Sequence, residues 1–231
     1  MTSLPTQLNH KDILLPFKNK VIFVDWHGVI SNENFWHNKS KSENHYLNKI
    51  ATEISERVFS DDIIIEKWLR GEIDYQQIIH DFHSESSKHT KLKIANRLLK
   101  YFHEIELNIK LLKTLSEYRN EAFIVMATDN MDCFFKSLPD FKYLGLFDSV
   151  LSSNKLGVLK KEDPDVFFGE WLSAHSLNFS NAILIDDSIA NCNRFTEKGG
   201  HAINYTIGSK INLKNKLKEW FTFSNQESLI A

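Results

Sequence analysis

Three short apolar runs each end in polar residues, and this pattern constrains the fold of the chain more than any other feature. VIFV at 21–24 ends in Asp25, FIVMA at 123–127 in Thr128 and Asp129, and AILI at 182–185 in Asp186 and Asp187. Runs this apolar read as strands buried on both faces, as in the parallel sheets of α/β proteins. Open α/β sheets bind ligands in the crevice at the carboxyl ends of their strands. Three strands that end in oxygen-bearing side chains would deliver them to one crevice. Carboxylates a few ångströms apart raise one another's pKa, so a cluster of them stays ionised only around a cation. Oxygen ligands with bound water suit magnesium.

Between the first two runs the sequence is polar and helical. Tyr46, Leu47, Ile50, Ile54 and Val58 fall close to helical spacing within 43–59. Asp61 and Asp62 then open a helix to Leu69, with Gly71 as its stop; Asp74 opens another through Phe82, and a further one spans 91–102. From Glu106 helices and strands alternate: a helix to Tyr118, the strand 122–127, a helix after Met131 and a short strand near Val150. They continue as a helix at 165–174, the strand 182–185, a helix to Lys198, a strand at 201–205 and a helix at 209–221. Such alternation predicts a parallel sheet covered on both faces. The expected architecture is α/β: a Rossmann-like parallel sheet core from 1–30 and 106–223, an inserted helical cap at 31–105, and a frayed tail at 224–231.

Composition narrows the function classes. Lys and Arg total 28 against 30 Asp and Glu in 231 residues, so no basic surface suggests nucleic acid as a partner. Cys133 and Cys192 belong to no CxxC or Cys/His cluster, which argues against a disulfide framework or a structural zinc and predicts a reducing cytoplasm. The stretch through Lys20 lacks the apolar centre of a secretory signal. No run approaches the roughly 18 apolar residues of a membrane span, so no membrane partner is expected. Oligomeric state is not legible from the sequence.

The ordered motifs carry a resemblance. DWHGV at 25–29, Thr128 closing the second run, KEDPDVF from Lys161 and ILIDDSIAN around Asp186 and Asp187 follow in the order of the haloacid dehalogenase-like hydrolase superfamily. The chain resembles that superfamily over 20–205. The last segment, continuing to GGHAINY, is especially similar to the subgroup of sugar-phosphate phosphatases and epoxide hydrolase N-terminal phosphatase domains. EKWLRGEIDYQQII resembles the cap segment of that subgroup. The resemblance implies a magnesium-dependent phosphatase of a small phosphorylated metabolite. Asp25 would be the nucleophile, and Thr128, Asp129 and Lys161 would bind the phosphoryl group, with Lys160 competing for the lysine's place. Asp25, Asp186, Asp187 and the backbone carbonyl of His27 would hold Mg2+. Ser188 and Asn191 would orient these ligands, or serve only the turn of a helix N-terminus. The cap would close over the crevice and set specificity.

His27 departs from the family pattern, which has a second acidic residue there to protonate the leaving oxygen and then activate water. An imidazole, with an ordinary pKa of about 6.5, supplies both protonation states near neutrality. DWHG also echoes the DWAG string of a phosphonate-cleaving branch, which needs a cap lysine; Lys39, Lys41 and Lys49 are candidates by position. A third reading is a degenerate member that keeps the fold as a binding or regulatory module. His80 and His83 stand at helical i, i+3 spacing, yet they read as polar-face residues and not as metal ligands. Trp26, Trp36 and Trp68 read as packing residues.

Overall fold

The structure is a computed structural model that describes residues 18–33, 49, 52–53, 56–82, 84–99 and 105–227. Its centre is a five-stranded parallel sheet in the order β3-β2-β1-β4-β5, built from β1 (Val21–Val24), β2 (Phe123–Thr128), β3 (Ser149–Ser152), β4 (Ala182–Asp186) and β5 (His201–Asn204). The apolar runs become the three central strands because every residue of β1 and β4 is buried. Side chains alternate across the sheet with period two. Ile22, Val24, Ile124, Met126, Ile183 and Ile185 therefore face one apolar layer, while Val21, Phe23, Val125, Ala127, Ala182 and Leu184 face the other.

The first layer is closed by α4 (Ile109–Glu117), α5 (Asp132–Ser137) and α9 (Leu213–Glu227), through Leu111, Leu115, Phe134, Leu217 and Trp220 among others. The second is closed by a π-helical turn at Asp165–Gly169 that runs into α7 (Glu170–Ala174), and by α8 (Ile189–Glu197). Phe23 meets Phe168 and Phe195 edge-on at 4.9 and 6.0 Å there. Lys20 is buried just before β1, where its ammonium donates to Phe221 O at 3.2 Å and lies over the Phe221 ring, tying the last helix to the first strand.

Between β1 and β2 the described residues are helical: 56–59, then α1 (Asp62–Leu69), α2 (Tyr75–Phe82) and α3 (Lys88–Leu98). Asp61 caps α1 as its sequence suggests, accepting from the backbone N–H groups of Ile63 and Ile64. Val58, Trp68, Tyr75, Ile78, Ile79 and Ile94 join the same apolar cluster as one face of the sheet. A polar seam reinforces that packing: Trp68 Nε1 donates to Asp132 Oδ1 at 2.9 Å, and Ser153 Oγ donates to Leu69 O at 2.7 Å. Among the described residues no helix is long and apolar enough to cross a membrane.

Several boundaries differ from the sequence reading. The last helix continues to Glu227, past its expected end at 221 and into the segment expected to fray; 228–231 lie outside the described residues. The third inserted helix ends at Leu98, and 100–104 lie outside the described residues, as do most of 43–55, Trp36, Lys39, Lys41 and His83. A short helix, α6 (Ser153–Leu156), follows β3 directly and was not foreseen; the Ser152 hydroxyl caps it through the Lys155 N–H.

Candidate active site

Register brings the strand ends together. Val24 pairs with Met126 on one side and Ile185 on the other, so Asp25 leaves its strand one step beyond both, and its N–H donates to Ile185 O at 2.9 Å. Asp186 is the next residue of β4, fully buried, and Thr128 closes β2, also buried. Asp25, Asp186 and Asp187 each offer an oxygen within 4.8 Å of the others'. The crevice expected from three polar strand ends is present, with the first and fourth motifs at its centre.

The lysine in this crevice is Lys160, and Lys161 is excluded from it. Lys160 is almost fully buried; its Nζ lies 2.8 Å from Asp25 Oδ1 and 2.6 Å from Asp186 Oδ2, and donates to Ala127 O at 3.2 Å. Lys161 points the other way, with its side chain 51% exposed, and reaches Glu66 Oε1 of α1 at 3.3 Å. The two are neighbours in a turn, so their side chains diverge and only one enters. The Lys160 backbone N–H is held by Asp129 Oδ1 at 3.1 Å, which sets the turn so that Lys160 faces inward. Asp129 thus fastens the lysine loop to the end of β2.

Asp186 is the most constrained carboxylate. Oδ1 accepts from Ser188 N at 2.9 Å and Asn191 Nδ2 at 3.1 Å, and Asn191 Nδ2 also lies 3.2 Å from Oδ2. Ser188 caps α8 through the Asn191 N–H, so these two residues both start the helix and orient the acid. Asp187 is half-buried, and its backbone carbonyl accepts from Asn204 Nδ2 at 2.8 Å. Gly28 lies against it: a β-carbon there would stand 2.2 Å from Asp187 Oδ2, and φ of +74° already favours glycine.

Burial raises the Asp25 carboxyl above its ordinary value; Lys160 opposes that rise and Asp186 adds to it. Burial also works against the Lys160 ammonium, but Asp25, Asp186 and Asp129 together outweigh it and lift its pKa above the lysine range. Both partners rise: several acids hold the ammonium charged, while at Asp25 burial outweighs the pull of the single lysine. Asp187 is raised by burial and by Asp186, against a lowering pull from His27. Asp129 is raised by burial, with Lys160 opposing.

His27 follows Trp26 with its side chain exposed, in a loop closed by a bridge to Ser31. Its imidazole is not among the clustered ligand atoms. Thr128 Oγ1 lies 3.5 Å from Asn130 Nδ2, and the Asn130 N–H donates to Ser153 Oγ at 3.1 Å. Sequence reasoning gave no weight to Asn130, Ser153, Asn204 or Glu162, since lone polar residues in loops carry no periodic signal. His80 is exposed beside Asp81 and binds no cluster; Trp26 and Trp68 are core residues.

Compared by sequence, the chain matches no protein-family model and no curated protein. Solved structures do match it. A haloacid dehalogenase family enzyme of Bacteroides thetaiotaomicron, in complex with magnesium and inorganic phosphate, aligns over 84% of this chain and 97% of its own at 17% identity and a TM-score of 0.63. The chain has the haloacid dehalogenase-like fold. A predicted hydrolase of that family from Porphyromonas gingivalis aligns over 86% of this chain and 97% of its own, at 17% identity and a TM-score of 0.62. A 2-haloacid dehalogenase of Pseudomonas syringae pv. tomato gives 15% identity, 83% and 88% coverage and a TM-score of 0.56. In this fold the crevice described above is the strand-end cleft at the centre of the sheet.

The donor set suits a divalent cation. Ionised together, the three converging carboxylates would exceed the one ammonium by two negative charges, which a divalent cation would offset. An all-oxygen group of that charge fits magnesium better than zinc or copper, which favour nitrogen and sulfur.

Proposed function

We propose that the chain is a magnesium-dependent hydrolase that removes the phosphoryl group from a small phosphorylated metabolite through an aspartyl-phosphate on Asp25. The observation that carries this reading is the Lys160 ammonium set between Asp25 and Asp186, with Asp187 completing a three-carboxylate cluster. The magnesium and phosphate bound by the Bacteroides enzyme of the same fold support it.

Trp26 N–H and Lys160 Nζ both hold Asp25 Oδ1, which directs the other oxygen to phosphorus. Attack forms the Asp25–phosphorus bond and breaks the ester bond, and the leaving oxygen takes a proton from His27. Water then attacks phosphorus, giving its proton to His27; phosphate leaves and the Asp25 carboxylate returns. Lys160 and the Thr128 hydroxyl stabilise the charge on the phosphoryl oxygens. Asp25, Asp186, Asp187 and the His27 carbonyl would hold Mg2+, which when bound supplies positive charge to the phosphoryl group and lets the carboxylates stay ionised together. The inserted helices, docked along the seam of Trp68 and Leu69, serve as the cap that limits which metabolite enters.

The test is phosphate release from a panel of metabolite phosphates and phosphonates, with and without magnesium, by the native chain, Asp25→Asn and His27→Asp. The expected result is magnesium-dependent release that Asp25→Asn abolishes. Activity retained by Asp25→Asn refutes the nucleophile assignment. A silent native chain with an active His27→Asp refutes the acid-base role and leaves a binding protein of this fold. For phosphonate cleavage, Lys49 is solvent-exposed and paired with Glu53.

A further inference from the structure

The loop that carries Lys160 is gripped from the inserted helices. Glu162 turns its carboxylate back on that loop, where Oε2 accepts from the Leu159 N–H at 2.9 Å, and its own N–H donates to Leu159 O at 2.9 Å. The same carboxylate receives two arms of Arg70: Nε donates to Oε2 at 3.1 Å, and the terminal NH2 group donates to Oε1. Arg70 closes the C-terminus of α1, and its NH2 group also donates to Glu66 Oε2 at 2.9 Å. Glu66 in turn holds Lys161. The residues flanking Lys160 on the C-terminal side are therefore both fastened to α1, 92 and 95 positions away in sequence.

The end of α1 also bears on the Thr128 loop. Ser153 Oγ donates to Leu69 O and accepts from Asn130 N–H, two residues beyond Thr128. Gly71 lets the turn lie this close, since a β-carbon there would stand 2.5 Å from Asn154 O. The Arg70 and Glu162 side chains are 21% and 32% exposed, so this bidentate pair is better shielded than a solvated surface pair and fixes orientation as well as distance.

We propose that Arg70 is a positioning residue for the lysine loop: its pair with Glu162 holds 159–162 so that the Lys160 ammonium stays between Asp25 and Asp186, which makes the crevice depend on the docking of α1. The catalytic consequence rests on the proposed function; the structural one does not. Arg70 touches no reacting atom, and it acts through Glu162.

The experiment joins hydrogen exchange with kinetics on the native chain, Arg70→Met, Glu162→Gln, their double variant and Arg70→Lys. Amide exchange of a peptide spanning 157–163 is expected to quicken about 10-fold in each single variant and no further in the double, since both remove one interaction. Peptides from β1 and β4 should keep their native exchange. For phosphate release, kcat should fall about 10-fold with KM changed less than about 3-fold, and Arg70→Lys should recover only part, lacking the fork. Unchanged loop exchange in Arg70→Met, additive effects in the double, or faster exchange throughout the sheet overturns the proposal. A raised KM with kcat retained does so too, by making Arg70 a substrate contact. If the native chain releases no phosphate, the functional reading fails and the exchange measurement alone decides the positioning role.

Discussion

Replacing Lys160 with methionine separates it from Lys161 by magnitude alone. Methionine keeps most of the aliphatic volume, so the change removes a charge and leaves little cavity. The ammonium contacts Asp25 Oδ1 and Asp186 Oδ2 at 2.8 and 2.6 Å while nearly fully buried, and its loss strands two buried carboxylates. Breaking one side of a buried ion pair costs about 3–5 kcal/mol. Proton uptake by Asp25, whose carboxyl burial already raises, offsets part of this, so the lower end of about 3 kcal/mol applies near pH 7.5. That corresponds to a fall of about 1–2 M in the urea midpoint for a chain of this size. Lys161→Met removes only a solvent-screened contact with Glu66 and should leave the midpoint unchanged. The assay is urea unfolding of the three proteins in EDTA followed by tryptophan fluorescence. Equal losses in the two variants, or a larger loss in Lys161→Met, would refute the assignment of Lys160 to the crevice.

Gly28→Ala forces a β-carbon into the space of Asp187 Oδ2 and, with Asp187 a ligand as proposed, should weaken magnesium binding about 10-fold or more; calorimetric titration that gives native affinity would remove Asp187 from the site. Stability without metal should fall as pH rises. The Asp25 carboxyl moves from 3.8 in the unfolded chain up to about 8 when folded, so between these values the folded state holds the extra proton and loses its advantage as pH climbs. Asp129 and Asp187, raised in the same direction, add to the slope. Urea midpoints in EDTA should therefore drop from pH 5 to pH 8, and saturating magnesium should flatten the trend; a midpoint that rises over that range in EDTA contradicts it.

Sequence and structure divide the problem by range. Burial and alternation are local properties of a run of residues, so VIFV, FIVMA and AILI announced three central strands, and their polar ends announced Asp25, Thr128 and Asp186. The helix starts at Asp61 and Asp74 were legible for the same reason, because a cap is a contact within three residues. The weakly apolar ends of elements were less so: the final helix passes its expected stop because nothing in 222–227 breaks it.

By itself the sequence determined that this chain builds a parallel α/β sheet with acidic strand ends and helices inserted after the first. Only the tertiary structure decided which of two adjacent lysines meets those acids. Lys160 and Lys161 are chemically identical, and what separates them is the direction each leaves a turn fixed by Asp129, Glu162 and Arg70. The contacts of Asp129 with Lys160 and of Arg70 with Glu162 span 31 and 92 positions, beyond the reach of any periodicity. The carboxylate cluster that suits a cation arises in the same way, from strands whose ends are distant in sequence and ångströms apart in the folded sheet.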